Sequence, residues 1–343
     1  MGLSEDIHIR REGKAGHITL TRPNALNALT YDMAMAIEQA LLQWRDDDAV
    51  ALVVIDAEGE KAFCAGGDIQ DLYEHGKAGD YAFGRTFWSD EYRLNAMIAG
   101  FEKPYVALMQ GFVMGGGVGI SCHGSHRIVG ENSQIAMPEC GIGLIPDVGG
   151  SYLLSRAPGF AGEYLGLTGT RMNAADAIHA GFADTFVPLD KWPALKQALC
   201  DSGETSVIGD FAEMTEASPL AAQAGEIDRF FARDTALDCV LALEADQLEW
   251  AQKAAKAMRR GCPLSVACAF ELIAMSRKAA SVREALDFEL RFTWRSQSHG
   301  EFVEGIRAQV IDKDRNPQWR TARLEDVTPD MIADMLAPIE EMV

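Results

Sequence analysis

A strand-like segment that runs into three consecutive glycines constrains this chain more than any other feature. Val106–Met109 is an apolar run typical of a buried strand, and Gly115, Gly116 and Gly117 follow it ahead of a helix-like segment. Backbone N–H groups at a helix start can hold a developing negative charge. The segment therefore predicts a strand that delivers backbone donors to a binding site.

Two acidic residues farther along the same segment, Glu139 and Asp147, lie in apolar surroundings. A carboxylate in an apolar pocket can act as an acid, a base or a nucleophile. Backbone donors and buried carboxylates within one segment indicate chemistry on a carbonyl group.

Charge and length narrow the class of protein. The 343 residues give an expectation of about two domains, and the formal net charge is −20. Nucleic acids and anionic membranes need basic surfaces, so we expect neither as a partner. A local positive pocket for an anionic small ligand is still compatible with this charge.

The cysteines and the N-terminus indicate the cellular compartment of the protein. Seven cysteines are scattered along the chain without a C-x-x-C pair, which predicts free thiols in a reducing compartment and neither a disulfide framework nor a zinc site. The charged N-terminus lacks an apolar signal core. We therefore predict a cytoplasmic protein with no bound metal.

Short strand-like and helical runs alternate in the first half, which favours an α/β architecture. Thr30 or Asp32 is the expected N-cap of a helix that reaches Trp44. The predicted strands are His17–Leu20, Ala51–Ile55, Val106–Met109, Arg127–Val129 and Thr185–Val187.

The second half is mainly helical. Asn173 and Gly181 are the expected N-cap and stop of one compact helix. We predict an α/β domain over residues 1–190 and a mainly helical region over residues 191–343, packed on or beside it. The strongest helical runs are Cys239–Met258, Leu264–Ser276 and Val282–Thr293.

Several common motifs are absent from the sequence. It has no G-x-G-x-x-G, no P-loop lysine, no G-x-S-x-G elbow and no H-E-x-x-H. These absences argue against dinucleotide binding, nucleotide hydrolysis, a serine hydrolase and a zinc protease.

A second glycine turn, within Lys61–Ile69, follows the Ala51–Ile55 strand. Glycine presents its backbone N–H without obstruction by a side chain. Two such donors aimed at one point form an oxyanion hole, in which each donor contributes on the order of 3 kcal/mol in the transition state. Either turn taken alone is also compatible with plain turn chemistry.

Four motifs together resemble the crotonase (enoyl-CoA hydratase/isomerase) superfamily: FCAGGDI at Phe63–Ile69, MGGGVG at Met114–Gly119, MPE at Met137–Glu139 and IPDVGG at Ile145–Gly150. The resemblance implies an α/β fold, a spiral of β-β-α units with a helical C-terminal region. It also implies an acyl-CoA substrate, with CoA as part of the substrate and no separate cofactor. The oxyanion donors would be the N–H groups of Gly67 and Gly116.

The segment RPNALNAL at Arg22–Leu29 resembles the early CoA-contacting loop of that family. By this resemblance Arg22 and the backbones of Ala25 and Ala65 are expected to contact the CoA moiety. Relatives often form trimers or hexamers, so the resemblance leaves a homo-oligomer open.

One position separates branches of the family. Hydratases of the family resemble one another in carrying two catalytic glutamates, one of which corresponds to Glu139. The other corresponds to Gly119, which has no side chain to hold a water or transfer a proton. Asp147 stands where hydratases usually have glycine. This exchange favours splitting a thioester over hydrating a double bond.

Three segments resemble the 3-hydroxyisobutyryl-CoA hydrolase branch: Asp90–Asn95, Met137–Arg156 and Glu304–Trp319. The implied function is hydrolysis of a β-hydroxyacyl-CoA, most simply 3-hydroxyisobutyryl-CoA as in valine breakdown, or alternatively 3-hydroxypropionyl-CoA. Glu139 would attack the carbonyl to form an anhydride or activate water. Asp147 would orient the substrate hydroxyl or manage a proton, and Glu91 would complete the substrate-binding set.

Other interpretations stay open. Glu139 and Asp147 can also serve as turn residues, and Glu91 can pair with Arg93 or Arg85 on a solvated helix face. Cys64 and Cys140 are expected to be packing residues. The alternatives for the whole protein are a hydratase or isomerase that uses Glu139 alone and a catalytically silent acyl-CoA-binding protein. Three acids that share a small site are expected to raise at least one pKa and to titrate together.

Overall fold

The computed structural model describes residues 5–339. Its strands agree with all five predicted ones to within two residues at each end. Within the described residues the strands are β1 (Ile7–Glu12), β2 (Ala15–Leu20), β3 (Leu52–Ala57), β4 (Ala62–Cys64), β5 (Tyr105–Met109), β6 (Phe112–Met114), β7 (His126–Val129), β8 (Gln134–Ala136) and β9 (Thr185–Phe186).

Helices make up most of the remaining regular structure. Thr30 caps α1, where its side chain accepts from the N–H of Met33, and Asn173 caps α7 in the same way, as predicted. The described helices are α1 (Tyr31–Arg45), α2 (Gln70–Ala78), α3 (Tyr81–Ala99), α4 (Gly116–Gly119), α5 (Gly150–Arg156), α6 (Ala161–Thr168), α7 (Ala174–His179), α8 (Trp192–Ser202), α9 (Ile208–Phe211), α10 (Pro219–Ala222), α11 (Ala224–Phe231), α12 (Ala236–Ala245), α13 (Glu249–Arg260), α14 (Pro263–Ser276), α15 (Val282–His299), α16 (Glu301–Ile306) and α17 (Pro329–Leu336).

Shorter turns of 3₁₀ helix lie at Pro23–Ala25, Glu139–Ile142, Leu189–Lys191, Thr205–Val207 and Leu324–Asp326, and Arg307–Ile311 is π-helical. No helix in the described part of the chain is long and apolar enough to span a bilayer.

Two compact units divide the described residues. Unit 1 comprises residues 5–68, 93–136 and 171–221, and unit 2 comprises residues 69–92, 137–170 and 222–339. The units interleave along the sequence, so neither coincides with the predicted ranges 1–190 and 191–343. That division into domains stays a prediction.

Unit 1 contains both sheets. The larger sheet has the order β1-β2-β3-β5-β7-β9, in which β1 and β2 are antiparallel and the other neighbours are parallel. The smaller sheet, β4-β6-β8, is parallel. Every residue from Leu52 to Ile55 is fully buried, as expected for a parallel strand that is covered on both faces.

The connectivity of unit 1 is repetitive. In each of the successive pairs β3-β4, β5-β6 and β7-β8, the first strand joins the larger sheet and the second joins the smaller one. This repeat matches the β-β-α units that the resemblance implied, and it confirms the expected α/β class. Side chains of β2, β3, β5 and β7 pack with α8 in one hydrophobic core.

Unit 2 is helical, and it corrects one prediction. The expected helix Cys239–Met258 is two helices, α12 and α13, because the chain turns at Asp246, whose carboxylate accepts from the N–H of Leu248 at 3.0 Å. Such side-chain to backbone bonds compete with helix continuation. The helix expected at Val282–Thr293 continues to His299.

Candidate active site

The first glycine turn, residues 65–68, follows β4 in unit 1. Gly66 has a φ of +121°, which glycine adopts without strain. The turn is fixed by backbone bonds, since Leu29 donates to Gly66 at 2.9 Å and Asp68 donates to Leu29 at 2.8 Å. Among residues 5–339 the N–H of Gly67 has no acceptor. The turn therefore presents one unused backbone donor.

The second glycine turn, residues 115–117, follows β6. Gly115 has a φ of +47° and precedes α4, of which Gly116 is the first residue. The N–H of a first helical residue has no acceptor within its own helix. Because β4 and β6 are parallel neighbours, the two turns leave the same edge of the smaller sheet. A Cβ on Gly117 would lie 2.3 Å from the carbonyl oxygen of Cys64, so only glycine allows this close approach.

The geometry thus supplies two backbone donors from adjacent strand ends. That both point at one carbonyl oxygen stays a prediction. Cys64 lies in this region but is fully buried, as is nearly all of Cys140 in unit 2. Burial raises the pKa of the Cys140 thiol well above its ordinary value, which agrees with a packing role and argues against a nucleophile.

The early loop of unit 1 carries two of the three residues expected to contact CoA, Arg22 and Ala25, and the first glycine turn carries the third, Ala65. Arg22 is already engaged: its guanidinium donates to Asp68 at 3.2 Å and to the carbonyl of Ala28 at 2.7 Å. Ala25 is exposed and Ala65 is half-buried. Their contacts with CoA stay predictions.

Buried Asn27, rather than one of the predicted contacts, fixes the conformation of this loop. Its side chain accepts from the N–H of Arg22 and donates to the carbonyls of Glu58 and Ala62.

Glu139 begins a 3₁₀ helix that starts three residues after β8 ends. The side chain is 5% exposed, and its Oε2 atom has no hydrogen-bond partner among the described residues. The helix ends at Gly143, whose φ is +76°. A buried carboxylate without a partner is costly for a folded protein, so its retention here indicates a functional role and argues against a simple turn residue.

Asp147 lies in a tight turn before α5. Its Oδ2 atom accepts from the phenol of Tyr92 at 2.8 Å, and its carbonyl accepts from the N–H of Gly150 at 2.7 Å. The next residue, Val148, has a φ of +53°. A β-branched residue rarely adopts this left-handed conformation, which costs about 1–3 kcal/mol. The position of Asp147 in this turn therefore depends on the strained backbone conformation of Val148.

Glu91 faces inward from α3 and is 4% exposed. The interpretation as a surface ion pair is wrong. Arg93 pairs with Glu38 at 2.6 Å, and Arg85 donates to the carbonyl of Trp294 and stacks over its ring. Glu91 is therefore available for the substrate-binding role that the resemblance implies, which stays a prediction.

Sequence reasoning assigned no role to Tyr92 or to Glu289, a fully buried residue of α15. Glu289 accepts from the N–H groups of Gly149 and Ser151 at 2.8 and 3.0 Å and from the hydroxyl of Ser151. A signal was available: Glu289 falls on the apolar stripe of its helix, four residues after buried Ala285.

Glu91, Glu139, Asp147 and Glu289, hereafter the acid cluster, all belong to unit 2. Burial, aided by the Asp147 charge, raises the pKa of Glu91 to about 8 and that of Glu139 well above its ordinary value. Burial raises the pKa of Asp147 to about 7, although the bond from Tyr92 opposes the rise. Burial likewise raises the pKa of Glu289 to about 8 against the bonds from Ser151 and Gly149.

The predicted rise in pKa is thus confirmed. Because the charge of Asp147 acts on the other three carboxyls, the four groups titrate as a coupled set. Such a set contains carboxyls that can exchange protons near neutral pH, as acid–base catalysis requires.

A separate polar cluster in unit 1 brings together an oxygen of Glu12, a nitrogen of His17 and the sulfur of Cys200 within 4.8 Å. The Arg10 guanidinium lies 3.0 Å from both Glu12 and His17, where it opposes a cation. Burial alone would lower the pKa of His17, but bonds to Asp56, Cys200 and Glu12 raise it to about 9. The cluster is therefore an ion-pair network.

The fold and the motifs define the class of protein. The chain belongs to the enoyl-CoA hydratase/isomerase family, whose model matches residues 15–336.

Within that family it is similar to the mitochondrial 3-hydroxyisobutyryl-CoA hydrolase of Danio rerio, 38% identical over 98% of this chain and 90% of the relative. It is also similar to 3-hydroxyisobutyryl-CoA hydrolase 1 of Arabidopsis thaliana, 35% identical over 99% of this chain and 93% of the relative.

A solved structure described as an enoyl-CoA hydratase from Rhodobacter sphaeroides is 54% identical and superimposes with a TM-score of 0.92, covering 98% of each chain. The expected crotonase-like fold is confirmed. The descriptions of these similar proteins name two reactions, hydrolysis and hydration, so the residues of the site must decide between them.

Proposed function

We propose that this protein hydrolyses a β-hydroxyacyl-CoA thioester, with 3-hydroxyisobutyryl-CoA as the first candidate and 3-hydroxyisobutyrate and CoA as products. The observation that carries the proposal is the buried Oε2 atom of Glu139, which has no hydrogen-bond partner among the described residues. The pKa of this carboxyl is also raised well above its ordinary value by burial. The names of the relatives from Danio rerio and Arabidopsis thaliana support the same reaction.

The choice of hydrolysis over hydration depends on Gly119. This residue lies within α4 and is buried. Hydration of an enoyl-CoA in this family uses two glutamates, and no carboxylate is available at residue 119. Asp147 instead adds an acid on the turn before α5. The chain therefore retains one catalytic glutamate and gains a carboxylate beside it.

Polarisation of the thioester is assigned to backbone donors. The N–H groups of Gly67 and Gly116 would bind the carbonyl oxygen and stabilise the tetrahedral oxyanion. Backbone donors suit this task because they are fixed before the reaction begins and need no reorganisation.

Glu139 can act by either of two mechanisms, as a nucleophile or as a general base. As a nucleophile, its carboxylate bonds to the thioester carbon and the C–S bond breaks, and the CoA thiolate takes a proton from the Asp147 carboxyl. Water then cleaves the mixed anhydride, which frees the Glu139 carboxylate and returns a proton to Asp147. As a general base, it takes a proton from water, the resulting hydroxide attacks the carbon, and the same proton passes to the departing sulfur. A raised pKa makes the Glu139 carboxylate a stronger base for the second route.

Asp147 and Glu91 would bind the β-hydroxyl group of the acyl chain. A carboxylate accepts a hydrogen bond from a hydroxyl group, and a protonated carboxyl can donate one. The raised pKa values of both residues allow either state. This arrangement would select acyl groups with a hydroxyl over those without one.

CoA itself would be held by Arg22 and the backbones of Ala25 and Ala65. A homo-oligomer is compatible with this proposal. We propose a cytoplasmic location, whereas the name of the Danio rerio relative places that protein in mitochondria. Cell fractionation followed by detection of this chain tests the location.

The competing function is hydration or isomerisation of an enoyl-CoA by Glu139 alone, and the description of the Rhodobacter sphaeroides structure favours it. A catalytically silent acyl-CoA-binding protein is the second competitor. Neither competitor accounts for the additional buried acid at residue 147.

A panel of acyl-CoA substrates scored for released thiol tests the proposal. All seven cysteines lie among the described residues, are buried and form no disulfide, so the protein's own thiols should give little background with a thiol reagent. We expect thiol release from 3-hydroxyisobutyryl-CoA and 3-hydroxypropionyl-CoA and much less from the matched acyl-CoAs without the hydroxyl. Loss of enoyl absorbance from crotonyl-CoA without any thiol release would contradict the proposal.

A further inference from the structure

The turn that carries Asp147 depends on a residue far away in the sequence. Glu289 on α15 is fully buried and places both carboxylate oxygens against this turn. Oε2 accepts from the N–H of Gly149, and Oε1 accepts from the N–H and the hydroxyl of Ser151. Three donors on one carboxylate fix the start of α5 more firmly than a single cap could.

The bonds to Glu289 explain how the strained turn persists. Val148 has a φ of +53° and is followed by Gly149 with a φ of +77°. A valine holds this conformation only when the surrounding structure imposes it. The two N–H groups held by Glu289 belong to residues 149 and 151, one and three residues after the strained residue, so the bonds to Glu289 help to hold this conformation.

Asp147 is fixed on its other side by Tyr92, which donates to Oδ2 at 2.8 Å. The orientation of the Asp147 carboxylate is therefore set by Tyr92 at its oxygen and by Glu289 through the backbone. The buried hydroxyl of Ser276 lies 2.9 Å from that of Ser151 and extends the network away from the turn.

We propose that Glu289 is a positioning residue of the active site, which holds the strained turn so that the Asp147 carboxylate is presented for the reaction. This inference rests on the proposed function. Glu289 acts through Asp147 and contacts no substrate. The charge of its ionised form also acts on Glu139, so Glu289 couples the position of one acid to the ionisation of another.

The charged groups that act on Glu139 are Asp147 on the turn and Glu289 on α15, and Glu139 acts in turn on the neighbouring thiol of Cys140. The charges of Asp147 and Glu289 both raise the pKa of Glu139. Replacing Glu289 by glutamine removes one of them, so the pKa of Glu139 falls. The limb of the rate profile that reports ionisation of Glu139 should then move to lower pH.

The test compares Glu289→Gln with Glu301→Gln. Glu301 is a matched control because it is also buried in unit 2 and its carboxylate also accepts from two backbone N–H groups, those of Arg320 and Thr321. Both substitutions replace an anionic acceptor by an amide of similar shape. Only the first one touches the turn that carries Asp147.

For Glu289→Gln we expect kcat for thiol release to fall about 100-fold, since a displacement of about 1 Å has an effect of this size. KM should stay within about threefold, and the ionisation limb should shift to lower pH. Glu301→Gln should retain kcat and the pH profile per folded molecule, measured after circular dichroism has established the folded fraction. Equal effects of the two substitutions on kcat and pH profile would overturn the proposal.

Ser151→Ala decides the question if Glu289→Gln does not fold. It removes one of the three donors to Glu289, and its matched control is Ser155→Ala on the same helix, where the hydroxyl donates to the carbonyl of Tyr152. We expect kcat to fall several-fold for the first variant alone, and equal kcat values would overturn the proposal. Absence of thiol release from the parent protein with every acyl-CoA would instead contradict the proposed function.

Discussion

The glycine turns of unit 1 and the acid cluster of unit 2 present their polar atoms in opposite ways. The turns offer backbone N–H groups that are fixed by two parallel strands and carry no titratable proton. The acid cluster offers side-chain carboxyls whose ionisation depends on burial and on one another. We therefore expect pH dependence to arise in unit 2, whereas unit 1 should contribute a rate effect that pH does not change.

The largest expected effect is that of Glu139→Gln. The amide keeps the shape of the side chain but can neither attack a carbonyl nor take a proton, so kcat for thiol release should fall by about 10³-fold or more. Binding of the acyl-CoA, measured by calorimetry, should be retained. A variant that keeps more than about a tenth of the parental kcat would show that the acid cluster does not carry the chemistry.

Removal of a backbone donor tests the other region. Gly116→Pro deletes one N–H at a first helical position, where proline is tolerated. We expect a loss of about 10²–10³-fold in kcat, with an unchanged pH profile for the activity that is left. Gly116→Ala retains the N–H and is the control. Equal losses in both variants would mean that the donor is not the important group.

A smaller effect on the pH dependence of activity should distinguish a substitution in unit 2 from one in unit 1. Tyr92→Phe removes the hydrogen bond that holds down the pKa of Asp147, so that pKa should rise above about 7. Activity that needs ionised Asp147 should then require higher pH, with a loss of about tenfold at neutral pH. Tyr105→Phe in unit 1, which removes a bond to the carbonyl of Ile120, is the control and should leave the profile unchanged.

The smallest expected effect is on stability. The pKa of Glu91 is raised in the folded protein to about 8, so its contribution to stability is present below about pH 4.5 and is lost as the pH rises through about 8. Glu91→Gln cannot titrate and should melt roughly a few degrees above the parent at pH 9. Glu102→Gln, at an exposed position, is the control. Equal melting temperatures of Glu91→Gln and the parent at pH 9 would show that ionisation of Glu91 does not destabilise the fold.

The sequence was most informative where a pattern extends over several residues. The strands at Leu52–Ala57 and Tyr105–Met109 have long apolar runs and were predicted. The smaller sheet was missed because its strands have three residues each, too few to show alternation. The edge strand Ile7–Glu12 was missed because only two of its six residues are apolar and three consecutive charged residues end it, and charged side chains are common on edge strands.

The candidate site divides in the same way. Glu139, Asp147 and the two glycine turns could be identified from motifs in local sequence. Glu289 could not, because its role depends on bonds to Gly149 and Ser151, about 140 residues earlier in the chain. A glutamate on the apolar stripe of a helix is unusual and can be noticed in the sequence. Only the fold shows that Glu289 bonds to the turn that precedes α5.

One substrate separates the proposed reaction from its main competitor directly. Incubation of the parent protein with 3-hydroxyisobutyryl-CoA, followed by mass spectrometry of the products, distinguishes cleavage of the C–S bond from loss of water across the Cα–Cβ bond. We predict 3-hydroxyisobutyrate and free CoA in equal amounts. Accumulation of the unsaturated acyl-CoA with its thioester intact would contradict the account.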